Sequence, residues 1–446
     1  MLKMIKKLSY ARIAALSFLC IIALGTVLLI LPFATKAGQD TSFINALFTS
    51  VSATCVTGLS PYDVFSHWTI FGQLVILVLI QVGGLGFMSM VSFISMFTKR
   101  KISVGERKIL MQSAGSNRMD GVMTLMKQIL RGTFLFEGIG IILLCFRFIP
   151  QYGFGTGLYY SIFHSISAFC NAGFDLMGRI VPGSSFESYV SDPYVCIVLM
   201  CLIIIGGIGF IVWQDISEHK FDFKHYRLHS KIVLTTTGIL LVFGFVAFFI
   251  TEYNNAYKEL SLPDKLLAAL FQSVTTRTAG FATVNQAELS TTGNFITIVL
   301  MLIGGSSGST AGGLKTTTLA AIFLDTISNA RNHDATTIFK RRLSAKTVRQ
   351  AHSVFTFYMI VVVVSLIVIS FLEPFSLSQL LFEICSALGT VGLSTGITAQ
   401  LGGLTKLILC LLMYAGRLGG LSIAMAVAET HSEPGLYRPT EDIMVG

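Results

Sequence analysis

Four short stretches of this sequence share one pattern, and that pattern decides the fold. The stretches are Phe48-Thr-Ser-Val-Ser-Ala-Thr-Cys-Val-Thr-Gly58-Leu59, Phe163-His-Ser-Ile-Ser-Ala-Phe-Cys-Asn-Ala-Gly173-Phe174, Phe271-Gln-Ser-Val-Thr-Thr-Arg-Thr-Ala-Gly280-Phe281 and Phe382-Glu-Ile-Cys-Ser-Ala-Leu-Gly-Thr-Val-Gly392-Leu393. Each has Ser or Thr four residues after the Phe, and a glycine nine or ten residues after it. The glycines recur at intervals of 115, 107 and 112 residues, each about a quarter of the 446-residue chain. The chain is therefore predicted to be four copies of one unit.

Long apolar runs surround these stretches. The chain is 53% hydrophobic and 12% charged, whereas soluble domains carry about 25% charged residues. This composition excludes an ordinary soluble domain, and a membrane-crossing helix needs about 20 mostly apolar residues. Runs suited to that role lie at 13–33, 68–97, 133–149, 194–213, 232–250, 354–372 and 404–427. An eighth run, 295–303, stops halfway at a Gly/Ser-rich segment, so eight spans are predicted in an all-α integral membrane protein.

The basic residues predict the orientation of these spans. Of the 32 Lys and Arg residues, four precede the first run, eight lie at 99–131, four at 220–231 and seven at 315–349. Positively charged loops remain on the cytoplasmic side of a membrane. We therefore expect a multi-pass protein of the cell membrane with both termini in the cytoplasm.

Each unit is predicted to contain a membrane helix, a short re-entrant helix that ends at the glycine, and a second membrane helix. The predicted repeats are 1–98, 99–218, 219–330 with an intramembrane loop at 304–313, and 331–446, the last with a short cytoplasmic tail. Non-helical backbone at membrane depth is tolerated only where protein or a watery cavity surrounds it. Carbonyl groups exposed at a glycine turn can replace the hydration shell of a cation. Four such turns around one central axis would form a cation filter.

The segments before Gly58 and Gly392 look like degenerate versions of the potassium-channel filter. The whole chain resembles the Trk/Ktr/HKT superfamily, and within it the KtrB-type membrane subunit of bacterial potassium uptake systems. In that family, glycine at all four filter positions goes with potassium permeation, whereas serine in the first goes with sodium preference. The predicted filter and potassium-binding residues are Val56, Thr57, Gly58, Asn171, Ala172, Gly173, Thr278, Ala279, Gly280, Thr390, Val391 and Gly392.

The Gly/Ser-rich segment has two interpretations. We expect it to be a mobile intramembrane loop that obstructs the pore when closed. The predicted gate residues are Gly305, Ser306, Ser307, Gly308, Ser309, Thr310, Ala311, Gly312, Gly313, Lys315 and Arg417. The segment also approaches the G-x4-G-K-[ST] phosphate loop, which it misses because Leu314 separates Gly313 from Lys315. A membrane nucleotide-binding protein that uses 304–316 therefore remains an alternative, as does a secondary carrier with broken helices.

Arg417 lies within the last apolar run, where a charged residue faces a cavity or a partner. It is predicted to line the pore and to contact the gating loop. The alternatives are an ion pair with Glu137, Glu252 or Glu373, or a side chain that extends to the membrane surface.

The sequence offers no covalent chemistry, so the protein is not expected to be an enzyme, and no organic cofactor is expected in this chain. Its loops are shorter than a sensor domain of about 50 residues, so regulation has to come from another chain. The resemblance implies a homodimer above a cytosolic ring of RCK subunits of the KtrA or KtrC type, which bind ATP and ADP. It implies K+ as the transported ion, with Na+ as a second candidate, and a surface in contact with membrane lipid.

Overall fold

The computed structural model describes residues 10–86, 122–220, 222–333 and 335–419. Within these ranges the chain is helical apart from its connections and one small hairpin, in which Thr337–Ile338 pairs with Arg341–Arg342. The expectation of an all-α protein is therefore confirmed for the described residues. The helices are numbered below in four consecutive units that follow the predicted repeats.

The first unit contains α1 (Tyr10–Ile30), α2 (Phe43–Cys55) and α3 (Ile70–Leu85). Helix α2 begins after Ser42, whose side chain accepts a hydrogen bond from the Asn45 amide and so satisfies one free donor of the first turn. Helix α3 corresponds to the membrane span predicted over 68–97. The described residues of this unit end at Gly86, and the rest of the predicted span lies outside them.

The second unit contains α4 (Val122–Tyr152), α5 (Phe154–Phe169), α6 (Pro193–Gly207) and α7 (Phe210–His219). The span predicted over 194–213 is bent in the structure, where α6 and α7 meet at an angle of 96°. Gly209 has a φ of 98° at the break. The Phe210 amide, which follows it, bonds the Gly308 carbonyl at 2.7 Å instead of continuing the helix.

The third unit contains α8 (Leu228–Glu252), α9 (Leu262–Thr275), α10 (Thr291–Leu302) and α11 (Thr316–Ala330). Helices α10 and α11 are separated by the Gly/Ser-rich segment, where the sequence predicts the break.

The fourth unit contains α12 (Ala345–Leu372), α13 (Leu377–Gly389) and α14 (Gly403–Leu418). A capping box fixes the start of α13, since Ser376 and Gln379 exchange side-chain and backbone hydrogen bonds. The predicted continuation of α14 to residue 427 lies outside the described residues.

Three described helices are long and apolar enough to cross a membrane, and the bent pair α6–α7 makes a fourth candidate. The three are Met126–Tyr152 within α4, α8 and α12. Helices α1, α3 and α10 are shorter and also apolar. The eight-span count therefore stays a prediction.

The short helices α2, α5, α9 and α13 occupy the centre of the molecule. In three units the helix that follows the short helix, α3, α6 or α14, approaches the short helix so closely that only glycine fits at the contact. A Cβ atom at Gly83, Gly206 or Gly416 would lie 1.9 to 2.1 Å from the carbonyl oxygen of Thr54, Phe169 or Leu388, respectively. In contrast, α12 presents large apolar side chains outward, such as Phe371, which is 85% exposed. The described surface thus carries large apolar side chains, as expected for a protein surrounded by lipid.

Candidate functional site

The four glycine turns have the same backbone conformation. The residues two positions before each glycine, Val56, Asn171, Thr278 and Thr390, have φ values of 57°, 57°, 73° and 51°. The glycines that follow have φ values from 68° to 99°. Val56, Thr278 and Thr390 are β-branched, and a β-branched residue with a positive φ is a genuine outlier that persists only where the surrounding structure imposes it, whereas Asn tolerates this conformation. The repeated strain identifies these turns as a candidate functional site.

The four turns touch one another in a closed order. A Cβ atom built at Gly58 would lie 2.6 Å from the Ala172 carbonyl oxygen of the second unit. A Cβ atom built at Gly173 would lie 2.8 Å from the Ala279 carbonyl oxygen of the third unit, and one at Gly280 would lie 2.4 Å from that of Val391 in the fourth. A Cβ atom at Gly392 would lie 2.2 Å from the Thr57 carbonyl oxygen of the first unit, which closes the order. Each glycine therefore faces the carbonyl group that precedes the next glycine. The predicted filter residues are brought together as one ring, which we call the glycine ring.

Hydrogen bonds to the short helices hold the glycine ring in place. The residue before each glycine donates its amide to a main-chain carbonyl of the short helix, at 2.8 to 2.9 Å. In each unit that carbonyl belongs to the Ser or Thr four residues after the Phe. The four are Ser52, Ser167, Thr275 and Ser386, and all are fully buried.

The hydroxyl groups of these residues add a second contact. Ser52 and Ser386 accept hydrogen bonds from the amides of Gly58 and Gly392, each at 3.1 Å. Ser167 and Thr275 instead donate to the carbonyls that follow their glycines, each at 2.6 Å. The sequence pattern contains these four residues but does not by itself indicate a role for them. Their constant spacing from the Phe was the signal that could have identified them.

A cavity of about 310 Å³ opens above the glycine ring. The four glycines lie at its base, and the side chains of Asp63 and Asp175 contribute to its wall. Asp175 accepts a hydrogen bond from the Met177 amide at 2.9 Å. Burial raises the pKa of Asp175 to about 6 and the nearby carboxylate of Asp63 adds to this effect, while the Met177 bond opposes it. The mouth of the site thus carries negative charge at neutral pH.

The Gly/Ser-rich segment lies directly against the other side of the glycine ring. The Thr310 hydroxyl donates to the Phe169 carbonyl at 3.2 Å, at the end of α5. A Cβ atom at Gly312 would lie 2.1 Å from the Thr390 hydroxyl of the ring. Within the second unit, Gly207 accepts a hydrogen bond from the Ser306 amide at 3.0 Å. The predicted gate residues therefore fill the space beside the ring.

Two cationic side chains hold the segment. The Arg417 guanidinium donates to the Thr310 carbonyl and to the carbonyls of Gly83 and Gly84 at the end of α3. These carbonyls carry the partial negative charge of a helix C-terminus, which attracts a cation. The Lys315 ammonium donates to the Ala311 carbonyl at 2.6 Å. The three acids considered as partners of Arg417 bond other groups: Glu137 accepts from Gln81, Glu252 from Ser290, and Glu373 from Gly402.

One buried cation beside the ring is not among the predicted site residues. Arg277 is only 8% exposed. It stands three residues before Gly280, where the other units have Cys55, Cys170 and Gly389. Its guanidinium donates to the Thr237 hydroxyl at 3.4 Å. Because the residue type at this position differs between the units, the repeated motif does not indicate that Arg277 is buried.

Comparison with known proteins agrees with this geometry. Residues 13–436 match the TrkH family, described as cation transport protein. The chain is 39% identical to the potassium/sodium uptake protein NtpJ of Enterococcus hirae, over 99% of this chain and 98% of that protein. It is 38% identical to the Ktr system potassium uptake protein B of Bacillus subtilis, over 98% of this chain and 96% of that protein.

Among solved structures, the potassium transporter TrkH of Vibrio parahaemolyticus has the same fold. The TM-score is 0.74 at 18% sequence identity, and the match covers 93% of this chain and 85% of that one. Together with the glycine ring, these matches define a membrane transporter of cations. The chain belongs to the TrkH family of cation transport proteins, and the predicted membership of the Trk/Ktr superfamily is confirmed.

Proposed function

We propose that this protein moves K+ selectively across the cell membrane, for potassium uptake, through the glycine ring. The observation that carries this proposal is the closed order in which each glycine faces the carbonyl of the next unit. Carbonyl oxygens at close quarters replace the hydration shell of a cation, and the four strained turns hold them inward. The names of the relatives agree, since NtpJ is a potassium/sodium uptake protein and the Ktr proteins take up potassium.

The proposed architecture has four pseudo-symmetric units around one pore, with eight spans and cytoplasmic termini. The recurrence of a short buried helix, a strained turn and a close-packed glycine supports it. The distribution of Lys and Arg supports the orientation. In this arrangement the acidic cavity above the ring faces outward and collects cations from outside.

The Gly/Ser-rich segment is proposed to be the gate. It lies against the ring and is hydrogen-bonded to the second unit through Gly207 and to the fourth unit through Arg417. A segment held by separate polar contacts in place of a continuous ladder of helix hydrogen bonds, with glycines at several positions, can move aside more readily than a continuous helix. Arg417 adds a positive charge at this level, which opposes the passage of a cation while the segment is in place.

The contacts of the segment favour this role over that of a phosphate loop. A phosphate loop needs free backbone amides that point at the ligand. Here the amides of Gly304, Ser306 and Thr310 already donate to protein carbonyls. The Lys315 ammonium is also engaged, with Ala311. A secondary carrier is less well supported, since four units in one direction suit a pore better than two inverted repeats.

We further propose that the protein works as a homodimer with a cytosolic ring of RCK subunits that bind ATP and ADP. The support is the name of the Ktr relatives, which describes each as part of a system. Sodium enters this proposal as a coupling or stimulating ion, in agreement with the name of NtpJ.

Two experiments test the proposed transport. The chain is expressed in a bacterium that lacks its own potassium uptake, and growth is followed as external potassium falls. The purified protein in liposomes is then assayed for rubidium uptake, a tracer for potassium, against an excess of sodium. We expect rescue of growth and uptake that potassium suppresses more strongly than sodium. Uptake that sodium and potassium suppress equally would contradict potassium selectivity.

A further inference from the structure

The residue directly after the Phe of each short helix differs in all four units. These residues are Thr49, His164, Gln272 and Glu383. All four are buried, with exposures of 0%, 0%, 0% and 2%. Burial of a polar side chain is unfavourable unless its hydrogen bonds are made. What each side chain bonds therefore indicates what it does.

His164 holds the outer segment of the second unit. Its Nδ1 lies 2.7 Å from the Tyr160 carbonyl oxygen in the same helix. Because a carbonyl can only accept, Nδ1 carries the proton and Nε2 is left as an acceptor. Nε2 accepts the Leu176 amide at 3.0 Å. Leu176 follows Gly173 by three residues, so the imidazole joins α5 to the chain immediately beyond the ring.

Gln272 makes the corresponding link in the third unit. Its amide nitrogen donates to the Gln286 side-chain oxygen at 2.7 Å, and Gln286 donates back at 3.2 Å. Gln286 also donates to the Val284 carbonyl at 2.8 Å. It lines the cavity above the ring, six residues after Gly280.

Glu383 makes the link in the fourth unit with a carboxyl group. Its two oxygens accept from the hydroxyls of Ser394 and Thr398, the latter at 2.9 Å. Ser394 follows Gly392 by two residues, and both hydroxyl-bearing residues line the cavity. The first unit lacks such a link, because the Thr49 hydroxyl donates to the Asn45 carbonyl of its own helix at 2.9 Å.

We propose that His164, Gln272 and Glu383 are positioning residues that set the spacing of the glycine ring. Each holds the chain on the outer side of a glycine, while the buried Ser or Thr of the same helix holds the chain at the glycine itself. The filter turn is thus fixed at two points in three units and at one point in the first. This inference rests on the proposed function, because spacing matters for K+ only if the ring is the filter.

His164, Gln272 and Glu383 occupy the same position of the repeated motif, and each links its short helix to the chain beyond the glycine. Each extends from a short helix and bonds a residue that follows the glycine of its own unit. Loss of one link leaves a buried polar group unsatisfied on the opposite side, which favours movement of that segment. A ring that relaxes at one unit would accept cations of other sizes. Selectivity should therefore respond before transport is lost.

The test compares variants in liposomes, by the ratio of potassium to sodium flux together with KM and Vmax for potassium. Gln272→Met keeps the length of the side chain and removes the link. His164→Leu removes it in the second unit. We expect each to lower the flux ratio about fivefold to tenfold, as for loss of one buried hydrogen bond, with Vmax reduced less than the ratio. Thr49→Val is the matched control, because this position forms no such link, and it should keep the wild-type ratio.

The fourth unit offers conservative and opposite-side variants. Glu383→Gln retains an acceptor for Ser394, so we expect a ratio near that of the wild type. Ser394→Ala removes one of the two hydrogen bonds of the link, that from the residue nearer to Gly392, and leaves α13 unchanged. It therefore provides the test if variants within the short helices fail to insert. We expect it to lower the ratio, as Gln272→Met does.

The outcomes separate the two proposals. If the wild-type protein shows no preference for potassium, the proposed function itself is wrong. If the wild type is selective and Gln272→Met, His164→Leu and Ser394→Ala are equally selective, the positioning role is wrong and the proposed function stands. If Thr49→Val loses selectivity as fully as they do, a general effect of helix packing replaces the positioning role.

Discussion

The guanidinium of Arg417 donates a hydrogen bond to the main-chain carbonyl of Thr310. This contact joins the last described helix to the Gly/Ser-rich segment, although the two residues lie 107 positions apart. The same guanidinium bonds the carbonyls of Gly83 and Gly84. A single side chain thus ties the proposed gate to the first and fourth units, and it does so with a charge that repels cations.

Removal of this charge should raise the flux of potassium. Arg417→Gln keeps a hydrogen-bond donor but removes the positive charge from the level of the segment. Two unit charges, here the guanidinium and a K+ ion, repel each other by about 2 kcal/mol at a separation of about 8 Å and an effective dielectric constant of about 20. We therefore expect rubidium uptake into liposomes to rise at least about tenfold. Arg349→Gln is the control, since Arg349 is exposed at the start of α12. Wild-type flux and wild-type potassium affinity in Arg417→Gln would contradict the barrier.

Deletion of the segment should also open the pathway. Residues 305–313 contact the end of α5 through Thr310 and the ring residue Thr390 through Gly312, so their deletion removes both contacts. We expect rubidium uptake to increase while the preference for potassium over sodium is retained, because the ring is unchanged. Insertion of the protein in the membrane is verified first by protease protection. Unchanged or abolished uptake in a correctly inserted protein would count against the gate.

Much of the fold could be predicted because the chain repeats. A single glycine turn such as that at Gly58 is compatible with many loops, whereas four turns at nearly equal intervals favour a repeated unit. The bend at Gly209 was less predictable, because the run at 194–213 is continuously apolar. The bend combines the positive φ of Gly209 with the bond from Phe210 to Gly308. The second is a contact between residues about 100 positions apart that local sequence does not encode.

The hydroxyl groups next to the ring should contribute to selectivity separately from stability. Ser52→Ala removes the acceptor of the Gly58 amide. Ser50→Ala, on the same helix and equally buried, removes a bond to the Ile22 carbonyl at 2.8 Å that does not involve the ring. We expect both to lower the free energy of unfolding by about 1 kcal/mol, measured by thermal unfolding in detergent. Only Ser52→Ala should lower the ratio of potassium to sodium flux, and equal ratios in the two variants would argue against this anchor.

The acidic cavity predicts a pH dependence. The pKa of Asp175 is raised to about 6 by burial, with a further contribution from Asp63. Its carboxyl group is therefore charged above about pH 6 and neutral below it. Because a charged mouth concentrates cations, we expect potassium uptake at low external potassium to fall as external pH decreases from about 7.5 to about 5. Asp175→Asn should remove this step and resemble the wild type at low pH. Asp40→Asn, at an exposed outer position, should keep it, and a pH step that survives in Asp175→Asn would assign the titration elsewhere.

The site was less predictable than the fold wherever side chains bond residues that are distant in the sequence. The ring residues themselves follow from the repeated motif, and Arg417 stood out as a charge in an apolar run. By contrast, His164, Gln272 and Glu383 differ in chemistry and bond residues at different distances beyond their glycines. A pattern search for identical residues passes over them. Arg277 was missed because burial depends on how α9 packs against α8, which the sequence does not state.

The central claim is that the four glycines form a filter selective for potassium. Its most direct test is the ratio of potassium to sodium flux in liposomes for Gly58→Ser, Gly173→Ser, Gly280→Ser and Gly392→Ser. Gly38→Ser is the matched control, since Gly38 also has a positive φ, of 80°, but a side chain there meets nothing within 4 Å. We expect each ring variant to lower the ratio about tenfold, or about 1.4 kcal/mol, and Gly38→Ser to leave it unchanged. Wild-type ratios in all four ring variants would contradict the filter.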